Sequence, residues 1–562
     1  MRRTAGLAWN QDATRTTLET FDYIIVGAGS AGCILAARLS EDPNVKVCLL
    51  EAGGPDRHPY IHVPAGFIKT FYDPSVNWNY DMEPSEWTGG RRIHAPRGKT
   101  LGGSSAINGH VYNRGQRYDF ETWAQYGNRG WGYADVLPYF RRTEKRLGDG
   151  EATYRGSDGA VAVTDLGWTH PLCDAFIEGA VQAGIPRNPD YNGERQEGVS
   201  YVQRTVNNGR RVSTATAYLN AAKKRGNLHV ITNAHATELV LEGKRVVGIQ
   251  YIKGGRGGAV HEVRAGREVI VSSGTYNSPV LLQNSGIGPA PVLNELGVQV
   301  RHELRGVGEN LRDHYAPRFA ARVKGAETIN EMVRGTKIVR EVFKYMFTRK
   351  GVLALSPTLV YVFWHSGETA ETSDIQMTFT PASYNEGVQG ELEREPGMTV
   401  ASWQQRPESK GYVRARSADS FDKPIIQPRY LSEEIDRRVL LGAMKLARKL
   451  LHSEPLKPFI DYEAFPGPDV QTDDELLAAA KQRGTTTFHP MGTCKMGPAS
   501  DPTAVVDDQL RVHGLEGLRV IDASIMPTML SANLNAATMM IAEKGADMIR
   551  SREALAPAEL AG

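Results

Sequence analysis

The sequence predicts an α/β fold of two domains, one built around a parallel sheet and the other around an antiparallel sheet. The chain has 562 residues, more than a single hydrophobic core usually accommodates. Residues 21–54 run in the order apolar strand, glycine turn, small-residue helix and apolar strand, as in a parallel βαβ unit. Residues 316–497 contain aromatic and β-branched segments, such as LSPTLVYVFWHS and DIQMTFTPASYN, which indicate strands of a second sheet.

The composition excludes several classes of protein. Lys plus Arg (66) nearly balances Asp plus Glu (64), so the chain lacks the positive charge typical of nucleic-acid binders. The four cysteines are scattered and form no C-x-x-C pair, which argues against a zinc site and favours a reducing compartment. The first 20 residues hold no apolar stretch suited to a signal peptide, and no run approaches the ~18 apolar residues of a membrane helix. We therefore expect a soluble cytoplasmic protein without a transmembrane segment, and the sequence leaves its oligomeric state unknown.

The segment FDYIIVGAGSAGCILAARLSEDPNVKVCLLEAGG, residues 21–54, predicts a Rossmann-like dinucleotide site. Gly27 permits the tight turn after the first strand, Gly29 lets backbone N–H groups approach a pyrophosphate, and Gly32 lets the helix pack on the strand. The N-terminus of that helix would face the phosphates. Glu51 ends the second strand, where a carboxylate accepts hydrogen bonds from ribose hydroxyls. This pattern alone does not separate FAD from NAD.

Four further segments carry a family resemblance. They are RGKTLGGSSAINGHVYNRG (97–115), GTYNSPVLLQNSGIGP (274–289), GVGENLRDH (306–314) and LRVIDASIMPTMLSANLNAATMMIAEKGADMI (518–549). Together with the first motif, and in this order, they resemble the glucose–methanol–choline (GMC) family of FAD-dependent oxidoreductases over about residues 21–550.

The resemblance implies a discontinuous FAD-binding domain with an inserted substrate domain. The FAD-binding pieces would be residues 20–160, 212–315 and 498–552, and the substrate domain would comprise 161–211 and 316–497. Ile107 stands where some members of the family tether FAD through a histidine, so we expect FAD to be bound non-covalently. The implied FAD contacts are Gly27, Gly29, Ser30, Gly32, Glu51, Arg97, Gly102, Gly103, Ser104, Asn108, Gly109, Ala236, Asp522 and Ala523.

His489, in the segment TTTFHPMGTCKMG, is the candidate base. Taken alone, a histidine beside an aromatic residue is more often a packing residue, and no cluster of metal ligands surrounds it. The resemblance implies instead that it faces the flavin beside a second His or Asn, which the register of the last motif places at Asn535. A neutral imidazole could take the proton of an alcohol while the hydride goes to flavin N5, and Asn535 could orient the substrate oxygen. Asn533 is the competitor, and its alternative role is to cap the following helix.

Aromatic residues of the second domain are the candidates for a substrate pocket. Alternation along the strands does not decide which face of the sheet lines the pocket. The number of aromatic residues favours a primary aryl or alkyl alcohol over a sugar as the substrate. The acceptor that reoxidises the flavin, O₂ or another molecule, stays open. Hydroxynitrile lyase activity on the same fold and a non-catalytic flavin-binding protein are the alternatives. The six principal pocket candidates are His110, Tyr361, Phe363, Trp364, Phe379 and Phe488, and His365, Tyr384 and Trp403 are further candidates.

Overall fold

A computed structural model of the chain describes residues 19–368, 372–385 and 390–560. Residues 1–18, which supply most of the argument against a signal peptide, lie outside the described residues. In the part that is described, no helix has both the length and the apolar character needed to cross a membrane.

The first of two main sheets, called the large sheet here, has seven strands and contains the predicted βαβ unit. Glu19–Val26 lies in its centre, because the apolar segment YIIV is buried on both faces. It pairs in parallel with the strand that carries Glu51 at its end and, on its other side, with Val260–Val271. In spatial order the strands are Leu228–Ile231, Val47–Leu50, Glu19–Val26, Val260–Val271, Arg245–Lys253 and Ala234–Glu242, with Leu518–Val520 also paired to Val260–Val271.

The second sheet, called the small sheet here, has six strands that are all antiparallel to their neighbours. One of its strands, Gly198–Tyr201, precedes the last strands of the large sheet in the chain, and the other five begin a few residues after the GVGENLRDH motif. In spatial order its strands are Ile460–Phe465, Arg318–Val323, Gly397–Gln404, Ile375–Thr380, Val360–Trp364 and Gly198–Tyr201.

Helices cover both sheets. Ser30–Leu39 follows the glycine turn and packs against Leu534–Ile549, so the first and last motifs of the chain meet. The other helices of eight or more residues are Arg117–Gln125, Tyr133–Thr143, Pro171–Gln182, Gly274–Asn284, Gly335–Thr348, Glu434–Leu451 and Asp473–Arg483.

The predicted fold class, an α/β protein with a Rossmann-like part and an antiparallel sheet, is confirmed. Every strand of the small sheet lies within residues 161–211 or 316–497, and the large sheet is built from the remaining pieces. The domain boundaries themselves stay a prediction.

Gly32 shows why the turn of the βαβ unit requires a small residue. A Cβ at this position would lie 1.8 Å from the carbonyl oxygen of Gly27. We expect Gly32→Ala to lower the free energy of unfolding by about 1–3 kcal/mol, because backbone must move to relieve the overlap. Urea denaturation of the FAD-free protein measures this. Gly226→Ala is the control, since a Cβ there meets no atom within 4 Å; equal losses in both variants would contradict the packing role.

Candidate active site

A cavity of about 440 Å³ lies between the two sheets. Its nucleotide end is lined by the first glycine motif, and its far end by His489 and aromatic side chains of the small sheet. Cavities of this size that combine apolar walls with a few convergent polar groups are typical ligand sites.

Glu51 and Asp522 shape the nucleotide end. The Glu51 carboxylate accepts hydrogen bonds from the N–H groups of Ala28 (2.9 Å) and Gly53 (2.8 Å). Burial raises the pKa of Glu51 to about 7. The Asp522 carboxylate accepts from the N–H of Gly274 (2.9 Å), which joins the last motif to the helix Gly274–Asn284. Both carboxylates are therefore held by backbone at the carboxyl ends of parallel strands, where dinucleotides bind.

The residues present fit FAD. A Cβ on Gly29 would meet no atom within 4 Å, so the backbone at the start of the helix opens onto the cavity. A Cβ on Gly103 would lie 2.6 Å from the Cα of Gly29, so the two glycine loops approach this closely only because Gly103 lacks a side chain. The Arg97 Nε is buried without a hydrogen-bond partner within the described residues, which leaves a donor for a ligand oxygen.

Most of the expected FAD contacts surround this cavity. The cavity-lining residues among them are Gly27, Gly29, Ser30, Glu51, Arg97, Gly103, Ser104, Asn108, Gly109, Ala236, Asp522 and Ala523. Gly32 and Gly102 do not line it. Gly32 packs helix on strand as described above, and the Gly102 N–H donates to the Ala28 carbonyl at 2.8 Å, so both shape the site through the backbone.

His110 lies at the cavity wall with both ring nitrogens engaged. Its Nε2 is 3.3 Å from the Pro64 carbonyl and its Nδ1 is 2.9 Å from the Ser356 hydroxyl. Burial, followed by the charges of Arg211 and Arg204, holds the pKa of His110 well below its usual value. The ring is therefore a neutral part of the wall.

His489 is the centre of the hydrogen-bond network at the far end. Its Nδ1 lies 2.9 Å from Nδ1 of His314 and 2.8 Å from the Thr487 hydroxyl. Its Nε2 lies 2.9 Å from Nδ2 of Asn533. The Oδ1 of Asn533 accepts a hydrogen bond from the Tyr361 hydroxyl at 2.9 Å, which fixes the orientation of the amide.

These contacts determine the tautomer of His489. The Gln405 carbonyl can only accept, so His314 Nε2, 2.6 Å away, carries a proton. Burial lowers the pKa of His314 to about 4, so the ring is neutral and its Nδ1 is an acceptor. The facing Nδ1 of His489 must then be the donor, since two lone pairs at 2.9 Å would repel each other. His489 is also neutral, because burial, His314 and Arg97 lower its pKa, and its Nε2 therefore keeps the lone pair.

The structure corrects the predicted partner of His489. Asn533, not Asn535, lies beside the imidazole. The helix begins at Leu534, so Asn533 has extended backbone at the helix end and its side chain reaches the cavity. Asn535 lies within the first turn and accepts a hydrogen bond from the Ser30 hydroxyl at 2.8 Å, at the nucleotide end.

Three of the six predicted pocket residues do not line the cavity. Tyr361, His110 and Phe488 do. Phe379 points to the other face of the small sheet and stacks on Phe176 with the ring centroids 4.4 Å apart. Trp364 alternates away from the face of Tyr361, and Phe363 shares that face but packs on Tyr191 beyond the cavity.

Sequence reasoning missed other residues at this end. His314 lay inside a quoted motif without a role, and Arg318 lines the cavity without having been singled out, whereas the candidates Tyr384 and Trp403 do line it. Their signal was their position in the chain: His314 ends the GVGENLRDH motif, and Arg318 begins the strand Arg318–Val323 that follows shortly after it.

Gly29 provides a test of the nucleotide site. We expect Gly29→Ala to fold with a stability close to wild type, because the new methyl group contacts no protein atom. The variant should lose most of its FAD, since the methyl group occupies the approach of the pyrophosphate to the helix N-terminus. The absorbance ratio of flavin to protein after desalting measures FAD content, and thermal unfolding of the FAD-free proteins measures stability. Full FAD content in the variant would contradict this assignment.

Comparisons with known proteins agree with this geometry. The N-terminal and C-terminal profiles of the GMC oxidoreductase family match residues 21–316 and 407–542. The chain is 42% identical over 547 residues to mitochondrial choline dehydrogenase of Homo sapiens, covering 96% of this chain and 91% of the relative. It is also 42% identical to oxygen-dependent choline dehydrogenase of Escherichia coli O139:H28, covering 96% and 97%.

A solved structure supports the same assignment. Pyridoxine 4-oxidase from Mesorbium loti superposes with a TM-score of 0.85 at 31% identity, covering 95% of this chain and 100% of the other. The chain therefore belongs to the GMC oxidoreductase family and is an FAD-dependent enzyme that oxidises alcohols.

Proposed function

We propose that this enzyme oxidises a primary alcohol to the aldehyde, with Nε2 of His489 as the base and Asn533 as the group that holds the substrate oxygen. The observation that carries the proposal is the tautomer of His489, whose lone pair is directed at the Asn533 amide in the cavity wall. FAD, which we expect to be bound non-covalently, supplies the hydride acceptor when it occupies the site.

The neutral imidazole suits proton abstraction. Its Nε2 accepts a hydrogen bond in the absence of substrate, so an alcohol O–H can take the place of the amide donor with the same polarity. Because burial lowers the pKa of His489, the base does not have to lose a proton before it acts at neutral pH. Proton acceptance by a positioned base contributes ~10²–10⁴-fold to a rate.

Asn533 and His314 complete the site on opposite sides of the ring. The Asn533 Nδ2 donates, so it can stabilise negative charge that develops on the substrate oxygen. His314 accepts from Nδ1 of His489, which keeps the proton off Nε2 before the reaction. Once Nε2 has taken the proton, the same contact holds the imidazolium. Asp313 fixes the loop by accepting from the His489 N–H at 2.8 Å.

Burial of all four cysteines as free thiols supports a reducing compartment, in our proposal the cytoplasm. Molecular oxygen or another acceptor would reoxidise the flavin.

Anaerobic titration of the purified holoenzyme with primary alcohols tests the function. We expect the flavin band near ~450 nm to bleach, because hydride transfer reduces the flavin. Admitting air then separates the acceptors, since rapid recovery with peroxide indicates an oxidase and a persistently reduced flavin indicates a dehydrogenase. A flavin that no alcohol reduces, with cyanohydrin cleavage in its place, would identify the lyase alternative. The absence of both alcohol oxidation and cyanohydrin cleavage would indicate a non-catalytic flavoprotein.

Two asparagine variants test which amide acts in the reaction. We expect Asn533→Ala to lower the anaerobic rate of flavin reduction by ~10²–10³-fold, the effect of losing one donor to a developing oxyanion. Asn535→Ala should leave that rate nearly unchanged and loosen FAD, because Asn535 contacts Ser30 at the nucleotide end. The reverse pattern in stopped-flow measurements would restore Asn535 as the partner. Whichever asparagine is the partner, His489→Ala should lower the anaerobic rate of flavin reduction by ~10²–10⁴-fold.

The pH profile tests the state of the base. A lowered pKa means that His489 stays deprotonated at pH values where an ordinary imidazole, with a pKa of ~6.5, is already charged. We therefore expect kcat/KM for a neutral alcohol to stay level as the pH falls through 6.5 and to decline only in more acidic solution. A half-maximal value at or above pH 6.5 would contradict a buried neutral base.

A further inference from the structure

Arg318 is a charged side chain on the cavity wall that the proposed reaction does not use. It lies in a cross-strand row with Ala401, Thr378 and Tyr361, one residue from each of four neighbouring strands of the small sheet. All four line the cavity, so the guanidinium and the Tyr361 hydroxyl that contacts Asn533 share one wall. Three strand spacings of ~4.8 Å place their Cα atoms roughly 14 Å apart.

The guanidinium has no carboxylate partner in the part of the chain that the structure describes. Its one described side-chain contact is the Tyr384 ring, with the centroid 5.7 Å away. The other residues of the small-sheet wall are uncharged: Ala316, Tyr361, Thr378, Thr380, Tyr384, Thr399, Ala401 and Trp403. Burial lowers the pKa of Arg318, which indicates that its charge is poorly compensated by the protein.

An uncompensated guanidinium that faces a cavity is stabilised by an anionic ligand, with which it forms paired hydrogen bonds. The FAD pyrophosphate does not meet this need, because the first helix and its glycine loops lie on the large-sheet side. A single guanidinium matches the single negative charge of a carboxylate.

We propose that Arg318 binds a carboxylate of the substrate, so that the enzyme oxidises a primary alcohol that also carries an acid group. The inference rests on the proposed function, and it makes a cationic alcohol such as choline a poor substrate although choline dehydrogenases are close in sequence. Tyr384 and Trp403 flank Arg318 on the same wall, so an aromatic or short apolar spacer between hydroxyl and acid fits.

A set of three alcohols that differ only in charge tests this. They are 4-(hydroxymethyl)benzoate, benzyl alcohol and 4-(hydroxymethyl)phenyl-trimethylammonium, each given anaerobically to the holoenzyme. We expect the carboxylate to have a KM ~10–100-fold below that of benzyl alcohol, the range for a charge-assisted hydrogen bond, and the cation to have the highest KM. If the cation is preferred while the flavin is reduced, the inference is wrong and the proposed function stands. If none of the three, nor choline, reduces the flavin, the proposed function itself fails.

Variants of Arg318 separate recognition from folding. Arg318→Met should keep full FAD content and the kcat for benzyl alcohol, and should remove the preference for the carboxylate through KM. Arg318→Glu should reverse the preference toward the cation. Binding of benzoate, followed by the change in the flavin spectrum, should weaken by the same ~10–100-fold in both. Thr399→Ser, on the same wall, is the matched control, and equal effects in it and in Arg318→Met would overturn the assignment.

The helix Gly335–Thr348 carries an independent observation, an apolar stripe on its solvent face. Five large side chains recur at the spacing of one helix face and are exposed, with Phe347 at 81% and Met346 at 57%. The stripe consists of Val339, Val342, Phe343, Met346 and Phe347. Only Glu341 and Tyr345 of this helix are buried against the rest of the protein.

Positive charge flanks the stripe. Residues 335–350 contribute five cations, Lys337, Arg340, Lys344, Arg349 and Lys350, against one acid, Glu341; Lys337 is paired with Glu327 at 2.6 Å. An apolar helix face bordered by basic residues is the pattern of helices that lie in the plane of an anionic membrane surface. A second copy of this chain fits less well, because an isologous contact would bring two sets of cations together.

We infer that this helix binds the surface of an anionic lipid bilayer without crossing it. The full holoenzyme should float with vesicles of phosphatidylcholine containing phosphatidylserine, should float less with phosphatidylcholine alone, and should lose binding in high salt. Phe343→Ser/Phe347→Ser should abolish flotation and keep alcohol oxidation. The matched control Tyr126→Ser, which removes an aromatic residue that is 58% exposed elsewhere, should float like wild type.

The outcomes that overturn this inference are equally direct. If the wild-type protein does not float with the vesicles, the helix does not bind lipid. The same conclusion follows if Phe343→Ser/Phe347→Ser floats as well as the wild type. A dimer in size-exclusion chromatography that disappears only in Phe343→Ser/Phe347→Ser would assign the stripe to a second copy instead.

Discussion

The active site depends on one hydrogen bond, from Nε2 of His314 to the Gln405 carbonyl at 2.6 Å. A carbonyl accepts only, so this contact fixes the proton of His314 and, through it, the proton of His489. Gln405 directly follows a central strand of the small sheet, whereas His314 lies in the segment that leads from the large sheet to the strand Arg318–Val323. The position of the lone pair on Nε2 of His489 is therefore determined by how the small sheet packs on the nucleotide-binding part, and not by the loop of His489 alone.

The parts of the site that sequence could predict are those with local physical causes. Gly27, Gly29 and Gly32 are required within one strand–turn–helix unit, and each requirement is visible at a fixed spacing. The choice between Asn533 and Asn535 has no such local cause. It depends on the residue at which the last helix begins, since the residue before Leu534 is extended and the next asparagine already lies within the first turn.

The pocket was harder to predict because alternation gives two faces and does not say which one meets the cavity. Tyr361 and Phe379 are both buried aromatic residues of adjacent strands, yet one contacts Asn533 and the other stacks in the core behind the sheet. Pairing register resolves this: Tyr361 is opposite Thr378, so Phe379 must point the other way. Register between strands is a tertiary property that the local sequence does not contain.

Arg318 shows why sequence identity predicts the chemistry of this enzyme better than its substrate. The base, its orienting partners and the nucleotide loops are distributed over the whole chain, so a relative with 42% identity over 96% of the chain keeps the reaction class. Substrate charge, in contrast, depends on the few side chains of one cavity wall. A single guanidinium on an otherwise uncharged wall changes the free energy of a bound cation and of a bound anion in opposite directions, because charges are screened less within a protein cavity than in bulk water. Discrimination between charged alcohols on this fold can thus change with one residue, while the proposed proton acceptor, His489, stays the same.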